Sequence, residues 1–134
     1  MLEKIAAAAD TERKKIFIDC AVTKKMNAAM IEKDFWVCWT LNRLFSDPEL
    51  QKILCFKGGT SLSKVFGVID RFSEDIDLIL DWNTLSNGKE IIQPSKNKQS
   101  KRNEEINEDA KIYIATILKE QIEKLVGDIC ILIP

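Results

Sequence analysis

The residues best suited to chemistry in this 134-residue sequence lie between positions 56 and 80. Two carboxylates, Asp75 and Asp77, flank one isoleucine at the start of the apolar run "DIDLIL". Side chains alternate faces along a strand, so a strand here points both carboxylates the same way, with roughly 6.5 to 7 Å between their α-carbons. Two such charges side by side are costly unless a cation compensates for them. Mg²⁺ (or Mn²⁺) suits the pair, because it takes carboxylate ligands and also accepts phosphate oxygens.

A glycine turn precedes the two aspartates in the segment "FKGGTSLSK". Gly58 and Gly59 allow the backbone to approach a ligand closely, and a helix that begins near Thr60 offers unpaired amides to an anion. Thr60 and Ser61 add hydroxyl donors, and Lys64, one turn further on, can neutralise phosphate charge. Metal carboxylates beside a phosphate-binding turn predict a site for a nucleoside triphosphate and for phosphoryl or nucleotidyl transfer.

Each part of this segment also has a simpler interpretation. A glycine pair is more often a plain turn, and an Asp-x-Asp is more often solvated. Lys64 is then a solvent-facing helix residue and Arg71 a surface ion-pair partner. The order of strand, glycine-hydroxyl turn, helix and Asp-x-Asp strand within one short segment favours the functional interpretation. The sequence has no GxxxxGK[ST] phosphate-binding loop.

The surrounding sequence predicts the elements that must position these residues. The composition of residues 2–20 predicts helical structure, either as one kinked helix or as two helices. Residues 27–45 predict a helix that is apolar on most sides, and such a helix lies at the centre of the core. "SDPEL" ends that helix before Pro48, which can start a short turn. The segment "KILCFK" predicts a strand. Residues 62–66 contain the apolar inner face of a predicted short helix, and the segment "DIDLILDW" predicts a second strand.

The second half of the sequence predicts a long surface loop over about 83–103, which we expect to be mobile or functional. An amphipathic helix follows over about 103–127, and "DICILIP" predicts a third apolar strand. Its expected inward-facing residues are Ala110, Ile114, Ile117, Leu118, Ile122 and Leu125. The fold class is therefore α/β (α+β), with a small mixed sheet of three or more strands flanked by helices. We expect 1–134 to form a single domain or the N-terminal part of one, with a helical region over 1–47 and a sheet core over 51–134.

Composition narrows the remaining function classes. The formal net charge is −1, so global charge gives no argument for a nucleic-acid or membrane partner. Apolar runs are shorter than a membrane span needs, and the N-terminus does not have the pattern of a secretory signal, so we expect a cytoplasmic protein. The four cysteines form no CxxC pair and histidine is absent, which argues against zinc and histidine-based catalysis.

Three motifs together resemble those of the AbiEii family of nucleotidyltransferase toxins: "IEKDFWV" at 31–37, "FKGGTSLSK" at 56–64 and "RFSEDIDL" at 71–78. These toxins come from bacterial abortive-infection and toxin–antitoxin systems, and they belong to the DNA polymerase β-like nucleotidyltransferase superfamily. The resemblance spans about residues 28–82. It implies a nucleotidyltransferase-like fold and transfer of a nucleotide from a triphosphate to an acceptor, tRNA for some members. It also implies a cognate antitoxin as a partner.

By the same resemblance, Gly59, Thr60 and Ser61 hold the triphosphate together with Gly58, and Lys64 contacts a phosphate. Asp75 and Asp77 hold Mg²⁺, so that Asp75, Asp77 and Lys64 form the catalytic set. The remaining two nucleotide-site residues, Arg71 and Ser73, shape the site ahead of the aspartates.

Two departures from the family pattern bear on activity. The superfamily has a third carboxylate on a later strand. Asp81 and Asp128 are the candidates for it in this sequence, although each is more simply interpreted as a polar residue at the end of a strand. The family's further Lys and Asp positions in a C-terminal helical region would follow Pro134. We therefore expect a truncated chain that does not work alone. The alternative is a catalytically incomplete fragment that acts as an antitoxin- or RNA-binding module.

Two charged segments remain open to two interpretations each. Glu32, Lys33 and Asp34 either face the nucleotide site from the central helix or form an ion-pair network that positions that helix, and the second is favoured. The basic residues Lys96, Lys98, Lys101 and Arg102 either contact RNA phosphates or belong to a solvated loop. The loop is favoured, because acidic residues follow at once.

Overall fold

The computed structural model describes residues 1–58, 75–86 and 88–133, and this part of the chain is mostly helical with one small sheet. Its residues cluster in two compact units, Met1–Asp47 with Phe56–Leu78 and Pro48–Cys55 with Ile79–Pro134. Among the described helices, none combines the length and apolar character needed to cross a bilayer. In chain order the elements are α1 (Leu2–Ala6), α2 (Asp10–Lys24), α3 (Ala28–Leu44), α4 (Pro48–Ile53), β1 (Leu54–Lys57), β2 (Asp77–Leu80), α5 (Trp82–Ser86), α6 (Lys96–Tyr113), a π-helical segment (Ile114–Leu118) and α7 (Lys119–Val126).

Helix α3 is the centre of the first unit, as its apolar sequence predicts. The side chain of Asn27 accepts a hydrogen bond from the Ala29 amide at 2.8 Å and so caps the first turn. The helix ends at Leu44, and Pro48 opens α4, so both predicted boundaries are confirmed. Trp39 is fully buried, and the core around it contains Val37 and Leu44 of α3 and Phe17 and Ala21 of α2.

Arg43 of α3 connects helix α1 to the aromatic face of α3. Arg43 donates hydrogen bonds to the Glu3 carboxylate from Nε at 2.9 Å and from Nη2 at 2.5 Å, and its guanidinium lies 5.0 Å from the centre of the Trp39 ring. The hydrogen bonds from Arg43 lower the pKa of Glu3 below its ordinary value.

The sequence left two options for residues 2–20, one kinked helix or two helices. The structure has two separate helices, α1 and α2, and α2 continues to Lys24.

The predicted loop over 83–103 is shorter in the structure. Helix α5 occupies its first residues and α6 already begins at Lys96, where the Ser95 hydroxyl accepts a hydrogen bond from the Lys98 amide at 3.4 Å. Apolar periodicity did not reveal the start of α6, because the residue that it buries there is Arg102. The amphipathic helix predicted downstream is present as α6, the π-helical segment and α7.

Burial along this helical stretch confirms one predicted inward residue and contradicts two. Leu118 is buried as predicted, whereas the predicted inward residues Ile114 and Ile117 are 49% and 51% exposed. Ile106 is buried although it was not among the predicted inward residues. The predicted third strand, "DICILIP", has no regular structure over the residues described there, and Ile131 and Ile133 are 90% and 85% exposed. An apolar run forms a strand only when another strand pairs with it, and within the described residues the sheet consists of β1 and β2 alone. The prediction of three or more strands is wrong for this part of the chain, and the architecture is consistent with α+β.

Candidate active site at the β1–β2 sheet

Gly58, which directly follows β1, lies against Asp77, the second aspartate of the Asp-x-Asp pair. Gly58 has φ +84, a left-handed conformation that favours glycine. A Cβ atom placed on Gly58 would stand 2.2 Å from Oδ2 of Asp77, closer than real Cβ atoms come to a neighbouring atom, and 3.1 Å from Cγ of Asp77. Only a glycine therefore allows the backbone turn and this carboxylate to occupy their observed positions together.

The strand register explains how these residues meet. The Asp81 amide donates a hydrogen bond to the Ile53 carbonyl at 2.7 Å, and β1 and β2 run antiparallel, so Ile53 lies opposite Asp81. Counting four residues along each strand puts Lys57 opposite Asp77. Both side chains are exposed, on the same side of the sheet. Lys57 was not among the residues singled out from the sequence; its position directly before the glycine pair was the available signal.

The two aspartates have the alternating exposure that the sequence predicted. Asp75 and Asp77 are exposed, whereas Ile76 and Leu78 between and after them are half-buried. The strand itself begins at Asp77, so Asp75 precedes it rather than belonging to it. The two carboxylates offer hard oxygen donors of the kind that Mg²⁺ takes in proteins, and this donor set fits a magnesium ion.

The remaining predicted site residues lie outside the described part of the chain. They are Gly59, Thr60, Ser61, Lys64, Arg71 and Ser73. Among the predicted site residues, the structure therefore describes Gly58, Asp75 and Asp77. Gly58 and Asp77 are in contact.

Comparison with protein families gives a decisive result. The sequence model of a family described as "Nucleotidyl transferase AbiEii toxin, Type IV TA system" matches residues 39–129, more than half of the chain and the whole of the glycine-aspartate segment. The chain belongs to the AbiEii family. This confirms the resemblance seen in the sequence motifs, and it makes the chain a member of a family of nucleotidyltransferase toxins of type IV toxin–antitoxin systems. Comparisons with curated proteins and with solved structures gave no match.

The two candidates for a third carboxylate, Asp81 and Asp128, differ in their surroundings. The Asp81 carboxylate accepts hydrogen bonds from the Thr84 amide at 3.2 Å and the Asn83 side-chain amide at 3.1 Å, and so caps α5. Desolvation opposes ionisation of Asp81, but hydrogen bonds from the backbone and side chains of Asn83 and Thr84 outweigh it and lower the pKa of the carboxyl. Asp128 is exposed in the turn after α7. Within residues 1–58, 75–86 and 88–133, no group of three or more acidic or cysteine side chains is arranged to hold a metal ion.

One residue of the charged segment of α3, Lys33, lines the same cavity of the first unit as Asp75. Lys33 lines a cavity of about 370 Å³ together with Asp75 and Ile76, and the cavity wall from α3 includes Trp36 and Thr40. The sequence favours a helix-positioning ion-pair network for Glu32, Lys33 and Asp34, whereas the position of Lys33 in this cavity supports the interpretation that the segment faces the nucleotide site.

Arg102 has a structural role rather than the RNA contact considered for it. Its guanidinium is buried and donates hydrogen bonds to the carbonyl oxygens of Ser86 and Glu90 and to the carboxylate of Glu105, each at 3.3 Å. Lys96, Lys98 and Lys101 are exposed on α6. Arg102 therefore holds α5 and the segment after it against α6.

Proposed function

We propose that the glycine turn and the aspartate pair bind a nucleoside triphosphate together with Mg²⁺, for transfer of a nucleotide to an acceptor such as tRNA. The observation that carries the proposal is the contact between Gly58 and the carboxylate of Asp77. In the proposed site the phosphates bind at the glycine turn that begins at Gly58, and the cation binds at the carboxylate of Asp77 beside Gly58. A triphosphate with its metal needs both within one ligand length. Membership of the AbiEii family supports the transferase chemistry and the toxin role.

Each described residue has a defined part in this proposal. Asp75 and Asp77 ligate the cation through oxygens on the exposed side of the chain. Gly58 keeps the space beside Asp77 open, and Lys57, opposite Asp77 in the sheet, reduces the repulsion between the two carboxylates before the cation arrives. When bound, Mg²⁺ supplies Lewis-acid polarisation of the phosphate oxygens. By family resemblance Gly59, Thr60, Ser61 and Lys64 contact the phosphates, and Arg71 and Ser73 shape the site.

Ligand-dependent thermal stability tests the binding half of the proposal. We expect Mg²⁺ with a nucleoside triphosphate to raise the Tm of the full chain, since a ligand at 100 times its Kd stabilises by about 2.7 kcal/mol. Asp75→Asn and Asp77→Asn should each remove the shift. Asp19→Asn is the matched control, because it makes the same change at an exposed aspartate of α2 in the same unit. An unchanged shift in both aspartate variants would contradict the proposed metal ligands.

Label transfer tests the reaction itself. The chain is incubated with Mg²⁺, tRNA and each of the four nucleoside triphosphates labelled at the α-phosphate, and the RNA is then separated and counted. Label on the RNA that disappears in Asp77→Asn supports nucleotidyl transfer by this chain. A ligand-induced Tm shift without any label on RNA would instead support the catalytically incomplete alternative. The family suggests a cognate antitoxin as a further partner.

A further inference from the structure

A cavity beside Asp75 is not explained by the glycine turn or the aspartate pair. It has a volume of about 370 Å³, within the range of about 300–1,000 Å³ typical of small-molecule sites. All of its lining residues belong to the first unit. They are Lys33, Trp36, Val37, Thr40, Asp75 and Ile76.

The α3 side of this cavity is one continuous face of the helix. Lys33, Trp36, Val37 and Thr40 follow the spacing i, i+3, i+4 and i+7, so they line the same side over two turns. The face combines a cation at its exposed end, an aromatic ring, an aliphatic wall and a hydroxyl. This combination of apolar walls with a few polar groups suits a heterocyclic base with an attached sugar.

The aromatic wall is held in place before any ligand arrives. The guanidinium of Arg13 lies 5.3 Å from the centre of the Trp36 ring, and it is itself fixed by hydrogen bonds to the carbonyl oxygens of Ala6 at 3.0 Å and Ala8 at 2.8 Å. The rings of Phe35 and Trp39 meet Trp36 edge-on, with ring centres 5.1 Å and 5.6 Å away. A ring restrained by three neighbours loses little freedom when a base packs against it, which favours binding.

Asp75 belongs both to this cavity and to the aspartate pair. A ligand whose phosphates and cation lie at Asp75 and Asp77 therefore has its next portion within reach of the α3 face. We infer that the cavity takes the base and ribose of the nucleoside triphosphate, with Trp36 against the base and Thr40 and Lys33 as polar contacts. This inference rests on the proposed function, because it extends the same ligand from its phosphates to its nucleoside.

Two kinds of ligand distinguish binding of the nucleoside from binding of the phosphates. One is a nucleoside triphosphate, with each of the four tested in turn, and the other is inorganic tripolyphosphate. Binding of each is measured with Mg²⁺ by calorimetry on the full chain. Thr40→Val keeps the shape of the side chain and removes the hydroxyl, and we expect it to weaken nucleoside triphosphate binding about two- to tenfold. Trp36→Leu removes base stacking and should weaken it by about fivefold or more. Neither variant should change tripolyphosphate binding. Thr11→Val, at an exposed position of α2, is the matched control.

The outcomes distinguish the two levels of the proposal. If the wild-type chain binds neither ligand, the proposed function fails and this inference fails with it. If the wild-type chain binds both ligands and Thr40→Val retains full affinity for every nucleoside triphosphate, the nucleoside site is refuted while the metal and phosphate site stands. Because Thr40→Val is nearly isosteric, its Tm without ligand should match that of wild type, which shows that a lost affinity does not come from a lost fold.

Discussion

Replacing Gly58 with alanine tests the contact on which the proposed site depends. The new methyl group would stand 2.2 Å from Oδ2 of Asp77, with Cγ and Cβ of Asp77 at 3.1 Å and 3.2 Å. The closest atom is the end of a flexible side chain, so the expected response is rotation of the Asp77 carboxylate away from the turn. The protein should still fold, but with this carboxylate displaced from the position proposed for a metal ligand.

A second glycine separates the effect of the clash from that of the backbone. Gly88 has φ +77, close to the φ +84 of Gly58, but a Cβ placed on it meets no atom within 4 Å. Both alanine variants should lose about 1–2 kcal/mol of unfolding free energy because an L-residue is strained at positive φ. Gly58→Ala should lose up to about 1.5 kcal/mol more if Asp77 is forced off its rotamer.

Urea unfolding followed by circular dichroism gives the stabilities, and calorimetry with Mg²⁺ and a nucleoside triphosphate gives the affinities. We expect Gly88→Ala to bind as wild type does, and Gly58→Ala to bind at least about tenfold more weakly, since a misplaced charged ligand costs about 1.5 kcal/mol or more. An Asp77→Ala background removes the two closest atoms and leaves only Cβ of residue 77, at 3.2 Å, near the new methyl group. In that background the stability costs of the two glycine substitutions should differ by less than they do in the wild-type background. Wild-type affinity in Gly58→Ala would refute the reasoning.

Three further predictions concern the second unit, and each uses urea or thermal unfolding. Arg102→Met should lower the unfolding free energy by about 2–4 kcal/mol, because it leaves two carbonyl oxygens without their donor, whereas its exposed neighbour Lys101→Met should change it by less than about 0.5 kcal/mol; equal effects would contradict the structural role of Arg102. Leu118→Ala should lower the unfolding free energy by about 2–4 kcal/mol, whereas Ile117→Ala, at a half-exposed position, should lower it by about 1 kcal/mol or less. A larger loss for Ile117→Ala than for Leu118→Ala would show that Ile117 faces inward as the sequence predicted. Asp81→Ala should lower the Tm at pH 7. Since hydrogen bonds lower the pKa of the folded Asp81 carboxyl, this difference in Tm is present above the ordinary carboxyl pKa and is lost as the pH falls through the folded-state pKa. A Tm difference that does not shrink on acidification would contradict the capping role.

The parts of the fold that the sequence predicts well are those with strong local signals. Helix α3 has a capping residue at Asn27, a proline stop at Pro48 and apolar residues on most sides, so that all the signals agree. The predictions of two strands at β1 and β2 are confirmed, although both strands are shorter than predicted, Leu54–Lys57 and Asp77–Leu80. The local signal was a short apolar run followed by glycine in the first case and by asparagine in the second.

The parts that were missed depend on partners that no local pattern contains. Helix α6 begins in a run of lysine, serine and asparagine, and it is held there by a buried arginine that bonds to carbonyl oxygens 12 and 16 residues away. The segment "DICILIP" has the composition of a strand, but its two isoleucines are exposed and no strand pairs with it in the described part of the chain. Similarly, the role of Lys33 could not be chosen from its own segment, because the cavity that it lines includes residues 42 and 43 positions further along the chain.

The register of the β1–β2 sheet determines both which apolar side chains are half-buried and where the carboxylate of Asp77 lies. Phe56 lies opposite Leu78 on the half-buried side, and Lys57 lies opposite Asp77 on the exposed side. A slip of one residue would turn Asp77 inward and Leu78 outward, which would bury a carboxylate and expose an aliphatic side chain. The apolar residues that fix the register for reasons of burial therefore also hold the carboxylate of Asp77 against Gly58. Substitutions at Phe56 or Leu78 should for this reason weaken Mg²⁺-dependent ligand binding although neither side chain carries a metal-binding atom, and normal binding in Leu78→Ala would show that the site does not depend on this strand pairing.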